Sequence, residues 1–441
     1  MNVYDPRSFG AAGDGVRSDT AAIQNALDAC AAAGGGTVRF ADGVFLTGTL
    51  KIGDNTTLEV RDGAELRGSL DLRAYADDID GCIEFPPFDP CLIYAKGKRN
   101  LRFCGGGVIN GQGDRSNFPH SLPGGGGKAR RPMLIRLVEC SGIEFENILL
   151  QDAASWCCHL VDCATIRIRH TRIDSCRNGN TDGFDLDSCR DVRIEDCTLR
   201  TGDDAICLKS SRATPCSDFE ILRCTVSSET AAFKLGTASF GGFRKIRLSD
   251  CRFHHCRMGA VKLLCVDGGV LEDVEIGHVV MEDVEGPIFI RLGTRNMDFS
   301  RQNEMVYYTV PDQKSGLDRA NGKLRNLFLH DIDADCTGAA SDRSGILITG
   351  VPTAPVENVT LENIRIRFPG GGSAEDAERM VAEDPARYPE QFFFGVLPAS
   401  GLYARHVDGL RLKKVRLETE KPDLRPEKLF LDVERLSITE G

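Results

Sequence analysis

Six phrases of one form follow one another: GIEFENILL from Gly142, TIRIRHTRI from Thr165, DVRIEDCTL from Asp191, DFEILRCTV from Asp218, KIRLSDCRF from Lys245 and DVEIGHVVM from Asp273. In each, apolar and polar residues alternate with the two-residue period of a strand, not the 3.6-residue period of a helix. The first apolar strand residues are Ile143, Ile166, Val192, Phe219, Ile246 and Val274, separated by 23, 26, 27, 27 and 28 residues. A strand recurring at such a period, with Asn, Asp and Gly between copies, predicts a β-solenoid whose coils stack on one another. Later copies begin at Leu327, Val359 and Leu410, after steps of 53, 32 and 51, and the step of 53 reads as close to two coils.

The repeat changes what length and composition imply. By length alone, 441 residues suggest about three domains, whereas a continuous solenoid makes residues 1–441 a single domain of about ten coils. Eighteen cysteines raise the question of a disulfide framework. Their spacing gives another answer, because Cys140, Cys163, Cys189 and Cys216 each precede a strand start by three residues, and Cys197, Cys224 and Cys251 each follow one by five. Equal phase in stacked coils puts such residues one strand spacing apart, about 4.8 Å, where Cys serves as a small hydrophobe. Cys157-Cys158-His159 and His254-His255-Cys256 contain metal-ligand types, but no second cluster of matching spacing accompanies them, and core or turn placement is the expectation.

A net charge of −11 opposes attraction to nucleic acid or to an anionic membrane surface. No run of eighteen apolar residues is long enough to span a bilayer. The start, MNVYDPRSFGAAGDG, lacks a basic segment followed by an apolar one, so the expected location is the cytoplasm. Residues 18–33, SDTAAIQNALDACAAA, show helical spacing behind the capping candidates Ser18 and Asp19 and stop at Gly34-Gly35-Gly36, which predicts an N-terminal capping helix. Two stretches break the rhythm, 294–323 and 369–400, and are expected to be rims near a cleft or shields at an end. The second carries Ser373 and Asp376 at capping-box spacing.

Between the repeated phrases each coil carries a further strand: FDLD from Phe184, ICLK from Ile206, FKLG from Phe233 and VKLL from Val261. With those four first residues taken as equivalent and inward, Asp182, Asp204, Ala231 and Gly259 stand two residues earlier, and Asp203 adjoins Asp204. One residue later, facing outward, are Asp185, Cys207, Lys234 and Lys262. The arrangement predicts three carboxylates at one rim of a sheet, with lysines beyond them. Crowded carboxylates are costly to ionise together, which holds one protonated near neutral pH. One acid to protonate a leaving oxygen and one carboxylate to activate water are what glycoside hydrolysis needs. A lone Asp in a β-solenoid is otherwise a turn residue.

NTDGFD (Asn180–Asp185) followed by TGDDAICLKS (Thr201–Ser210) resembles glycoside hydrolase family 28, the polygalacturonase family. The resemblance runs from FGAAGDG through RRPMLIRLVECSGIEFENI to the last coils. It implies an all-β fold, a single-stranded right-handed parallel β-helix. It further implies Asp203 as general acid, Asp182 with Asp204 activating water, inversion at the anomeric carbon, and no metal or cofactor. Asn180 and Asp185 belong to the same motif and are candidate substrate contacts. Two places depart from the family pattern. Ala231-Ala232 stand where it has His-Gly, and Ala260-Val261-Lys262 where it has Arg-Ile-Lys.

Positive charge near the carboxylates is therefore expected from Lys262, Lys234, Lys209 and Arg291, either gripping an acidic sugar or neutralising the Asp cluster. In and after the late excursion, Tyr388, Phe393, Tyr403, Arg405 and His406 are candidates to stack on a sugar or supply a cation, or else to fill the core. GGGGK ending at Lys128 lacks the leading Gly and the trailing Ser or Thr of a phosphate loop, DGFDLD lacks the order of a calcium hand, and no G-x-S-x-G elbow exists. The expectation is an exo-acting hydrolase of an acidic, pectin-type oligosaccharide. Two rivals remain at this point: a β-helix lyase or epimerase using Lys or Arg beside calcium, and a non-catalytic carbohydrate-binding solenoid.

Overall fold

The structure, a computed structural model, describes residues 2–80, 90–122, 129–295 and 321–440. The GGGGK segment lies outside the described residues, as does nearly all of the excursion expected at 294–323. Two compact units, residues 1–203 and 204–441, make up the chain.

In the first unit three strands per coil feed three parallel ladders. One ladder runs through Gly36–Phe40, Thr56–Val60, Arg99–Cys104, Ser141–Glu146, Ala164–Arg169 and Arg190–Glu195. A second runs through Gly43–Thr47, Ala64–Gly68, Val108–Asn110, Leu149–Gln151, Arg172–Ser175 and Thr198–Thr201. The third joins Cys91–Lys96, Met133–Val138, Cys158–Val161 and Phe184–Asp187. The periodic residues are in register, Ile143 beside Ile166 beside Val192.

In the second unit Phe219, Ile246, Val274, Leu327, Val359 and Leu410 are successive neighbours in one ladder. The 53-residue step is thus one coil and not two, since Val274 pairs directly with Leu327. All nine periodic residues are at most 2% exposed. Each such side chain contributes roughly 1.5–3 kcal/mol by leaving water. Phe103 stacks on Phe145 with ring centres 4.6 Å apart.

The corners explain the supply of Asn and Asp. Two columns of residues adopt the left-handed conformation, one entering the first ladder (Asn100, Gly142, Thr165, Asp191; then Asp218, Lys245, Asp273, Asn326, Asn358) and one leaving it (Asn147, His170, Asp196; then Asp250, His278, Asp331, Asn363). Asn and Asp tolerate that conformation because their side chains bond locally. Here they also bond along the column: Asn326 Nδ2 donates to Asp273 Oδ1 at 2.9 Å, and Asn358 Nδ2 to Asn326 Oδ1 at 3.3 Å.

Among the described residues the cysteines are reduced thiols, nearly all buried, with no disulfide. The ladders form as the spacing implied: the Cys140 backbone N–H donates to Cys163 Sγ, and that of Cys224 to Cys251 Sγ, both at 3.4 Å. Cys157, Cys158 and His159 are buried, and His159 meets the Trp156 ring edge to face. The N-terminal helix spans Thr20–Ala32. Asp19 occupies its N-cap without capping it: the carboxylate instead accepts from the N–H groups of Ala12 and Gly13, at 2.7 and 2.9 Å. In the late excursion the Ser373–Asp376 capping box is formed, around the single turn Ala374–Ala377.

Candidate active site

The first unit ends in the turn Thr201-Gly202-Asp203. Thr201 Oγ1 donates to the Asp203 carbonyl, and the Gly202 N–H donates to the Ser175 carbonyl at 2.9 Å and lies 3.1 Å from Thr181 Oγ1. A side chain at 202 would meet the Asn178 carbonyl at 2.3 Å, which accounts for the glycine of the GDD motif. Asp203 is half-buried, and Asp182 is 3% exposed. Asn180 Nδ2 donates to Asp203 Oδ2 at 3.2 Å. Behind Asn180 lie two residues absent from the sequence-derived candidates. Arg131, fully buried, donates from Nη2 to Asn180 Oδ1 at 2.9 Å and from Nη1 to the carbonyls of Gly179 and Ala154. His120 Nε2 lies 3.1 Å from the same Asn180 oxygen. Burial pushes the Arg131 guanidinium down to about 10, opposed by the negative charges of Asp203 and Asp182, so it remains a cation at neutral pH. Asp185 is fully buried, in register with His159 on the third ladder.

The second unit opens with Asp204. Ile206, Phe233 and Val261 are in register and point inward, and Cys207, Lys234, Lys262 and Phe289 form the outward row. Asp204 is 3% exposed and enclosed by donors: Lys234 Nζ at 2.7 Å, Thr230 Oγ1 at 2.9 Å and the Ala231 N–H at 3.3 Å. Burial by itself raises this carboxyl, but Lys234, then Lys262 and Lys209, outweigh it and hold Asp204 well below the usual carboxylate range. Lys234 is raised in turn: burial works against its charge, and Asp204 more than compensates.

The remaining sequence candidates are drawn into the excursion's anchorage. Lys262, fully buried, pairs with Glu390 at 2.6 Å, and Glu390 is a residue the sequence did not single out. Tyr388 sets its ring 5.9 Å from Lys234 Nζ. Arg291, expected at the substrate, is 1% exposed and donates to Thr349 Oγ1 at 2.6 Å and to the carbonyls of Glu383 and Asp384. Arg405, expected to supply a cation, donates to the carbonyls of Val381 and Ala382 at 2.7 and 2.9 Å. His406, likewise, bridges Glu383 and Asp432. The two arginines hold the excursion by donating to its backbone carbonyls, which need donors, and His406 holds it through the Glu383 carboxylate. Val381, Phe394 and Leu397 seal it against Phe289, Leu347 and Tyr403. Away from the Asp motifs, His278, His330 and Asp331 bring three ligand-type atoms within 4.8 Å of one another at a corner column. Hydrogen bonding of His330 Nδ1 to Asp331 Oδ2 at 2.7 Å accounts for part of that closeness.

The family model described as Glycosyl hydrolases family 28 matches residues 86–381. The chain belongs to that family. It is a glycosidase on a right-handed parallel β-helix. Among relatives, it is 28% identical over 390 residues to a probable polygalacturonase of Vitis vinifera, covering 82% of this chain and 73% of that one. Among solved structures, the family 28 chain resembles a hyperthermoactive exopolygalacturonase from Thermotoga maritima with a TM-score of 0.73 at 20% identity, over 95% of this chain and 92% of that one. It resembles a family 28 exopolygalacturonase of Yersinia enterocolitica with a TM-score of 0.74 at 16% identity, over 100% and 79%.

Proposed function

We propose that this family 28 glycosidase hydrolyses an acidic, pectin-type oligosaccharide from one end, by inversion. Asp203 gives its proton to the glycosidic oxygen as the bond to the anomeric carbon breaks. A water attacks that carbon from the opposite face, and its proton passes to a carboxylate, Asp182 or Asp204. One water is consumed and each fragment ends in a hydroxyl. The observation that carries the reading is the contrast between the two consecutive aspartates: Asp204 is buried and kept ionised by lysines, while Asp203 is half-buried with Asn180 donating to one oxygen. The pectin-type substrate is supported by the polygalacturonase names among the relatives, one of them an exo-poly-alpha-D-galacturonosidase of Dickeya chrysanthemi, 35% identical over 120 residues.

Action from the chain end is supported within the second unit. There Glu390 and Tyr388 lie over the outward lysines, and the excursion's apolar residues cover the row beyond them. The buried thiols suit a reducing compartment, and we place the protein in the cytoplasm. The test is a panel of galacturonides, rhamnogalacturonan fragments and neutral oligosaccharides, with the first-formed anomer read by NMR. Inverted product from the end of an acidic oligosaccharide is expected. A retained anomer would sink the mechanism, an unsaturated product absorbing in the ultraviolet would sink hydrolysis, and turnover of neutral oligosaccharides alone would sink the substrate class.

A further inference from the structure

We infer that His120 is a positioning residue for the proton donor, acting through Asn180; the inference rests on the reading of Asp203 as general acid. The argument is one of donors and acceptors. Arg131 has only donors, so the Asn180 atom 2.9 Å from its Nη2 is the amide oxygen. The amide nitrogen is then the atom facing Asp203 Oδ2 at 3.2 Å, and it donates. His120 Nε2 is 3.1 Å from that same amide oxygen and must therefore carry hydrogen, and its Nδ1 lies 3.0 Å from Ser121 Oγ. From Arg131 to the Asn180 amide to His120 Nε2, each role is fixed by the one before it.

The consequence falls on the acid. An N–H aimed at Asp203 Oδ2 makes that oxygen an acceptor, so the transferable proton resides on Oδ1. A reversed amide would present its oxygen to Oδ2 and draw the proton there instead. Arg131 and His120 both oppose the reversal, and His120 does so from a loop 60 residues away in sequence. Its seat is shaped for it: a side chain at Gly179 would place its first carbon 2.7 Å from the His120 ring.

The test compares His120→Leu, His120→Gln, Gly179→Ala and Asp203→Asn in one assay on the substrate found by the panel, with thermal melts alongside. His120→Leu should lower kcat by about tenfold to a hundredfold, the range expected of a small misplacement of a catalytic group, with KM within about twofold. His120→Gln, whose amide N–H can occupy the Nε2 position, should recover most of the loss. Gly179→Ala, which displaces the ring and leaves its chemistry intact, should show the same loss in kcat. The inference is overturned if His120→Leu keeps the wild-type kcat, if its loss lies in KM, or if Gln is no better than Leu, in each case with Asp203→Asn inactive. If Asp203→Asn keeps the wild-type rate, the general-acid reading itself has failed, a separate result.

Discussion

Replacing Lys234 by Met removes the ammonium that sits 2.7 Å from Asp204 Oδ2 in a pair whose side chains are 4% and 5% exposed. Methionine nearly conserves the volume, so what is lost is charge. Asp204 keeps the Thr230 hydroxyl, the Ala231 N–H and the fields of Lys262 and Lys209, but not its strongest partner. Removing one member of a buried ion pair typically costs about 3–5 kcal/mol, because the other charge stays behind without solvent. Chemical denaturation at pH 7 should show a loss of that size for Lys234→Met, and a smaller one for Lys234→Met combined with Asp204→Asn, where no lone charge remains. The pH dependence has a definite sign. A carboxyl held below its unfolded value stabilises above about pH 4 and loses that contribution as pH falls. The variant has already lost much of it, so the gap to wild type should narrow between pH 7 and pH 3. A loss below about 1 kcal/mol at pH 7, or a gap that does not change with pH, would refute the account of Asp204 as a lysine-held carboxylate.

Other predictions concern single residues. Asp203→Asn and Asp182→Asn should each cut turnover by about 10²–10⁴-fold, the usual worth of a positioned acid or base, with melting temperatures near wild type; retained wild-type rates would remove either from its role. Ile194, fully buried in the first ladder, should cost about 2–5 kcal/mol on change to Ala, measured by denaturant midpoint, and a loss under 1 kcal/mol would mean the ladder does not carry the stack. Burial pushes the Cys157 thiol up to about 12, so iodoacetamide at pH 8 should leave it unmodified in the native protein and label it after unfolding. A peptide map showing native labelling at Cys157 would contradict the burial.

The periodic part of the molecule was legible because stacking repeats a local rule: an inward apolar residue, a left-handed corner, a strand. Ile143 and Leu410 obey it across the whole chain, and the cysteine columns follow from the same phase. The misreading of the 53-residue step shows the limit, since sequence distance counts residues and cannot tell how many coils they fill. The Asp motifs were legible as motifs. Their partners were not, because Arg131 and His120 reach Asn180 from 49 and 60 residues away, and Glu390 reaches Lys262 from 128 away, along loops without a period. Arg291, Arg405 and His406 were basic residues near the right strands, but carbonyls and carboxylates of the excursion claim them. Proximity in sequence to a sheet says nothing of which acceptor is nearest in space.

The direct pairing of Val274 with Leu327 bears on how such a chain can be altered. A loop can lengthen between two rungs without disturbing the register of either. By polymer statistics each doubling of such a loop costs only about 0.6 kcal/mol in closure entropy. A change of chain length between such rungs then leaves their pairing, and the apolar burial that goes with it, in place. A laboratory wishing to retune such a scaffold would change chain length at the rung boundaries and leave the column untouched.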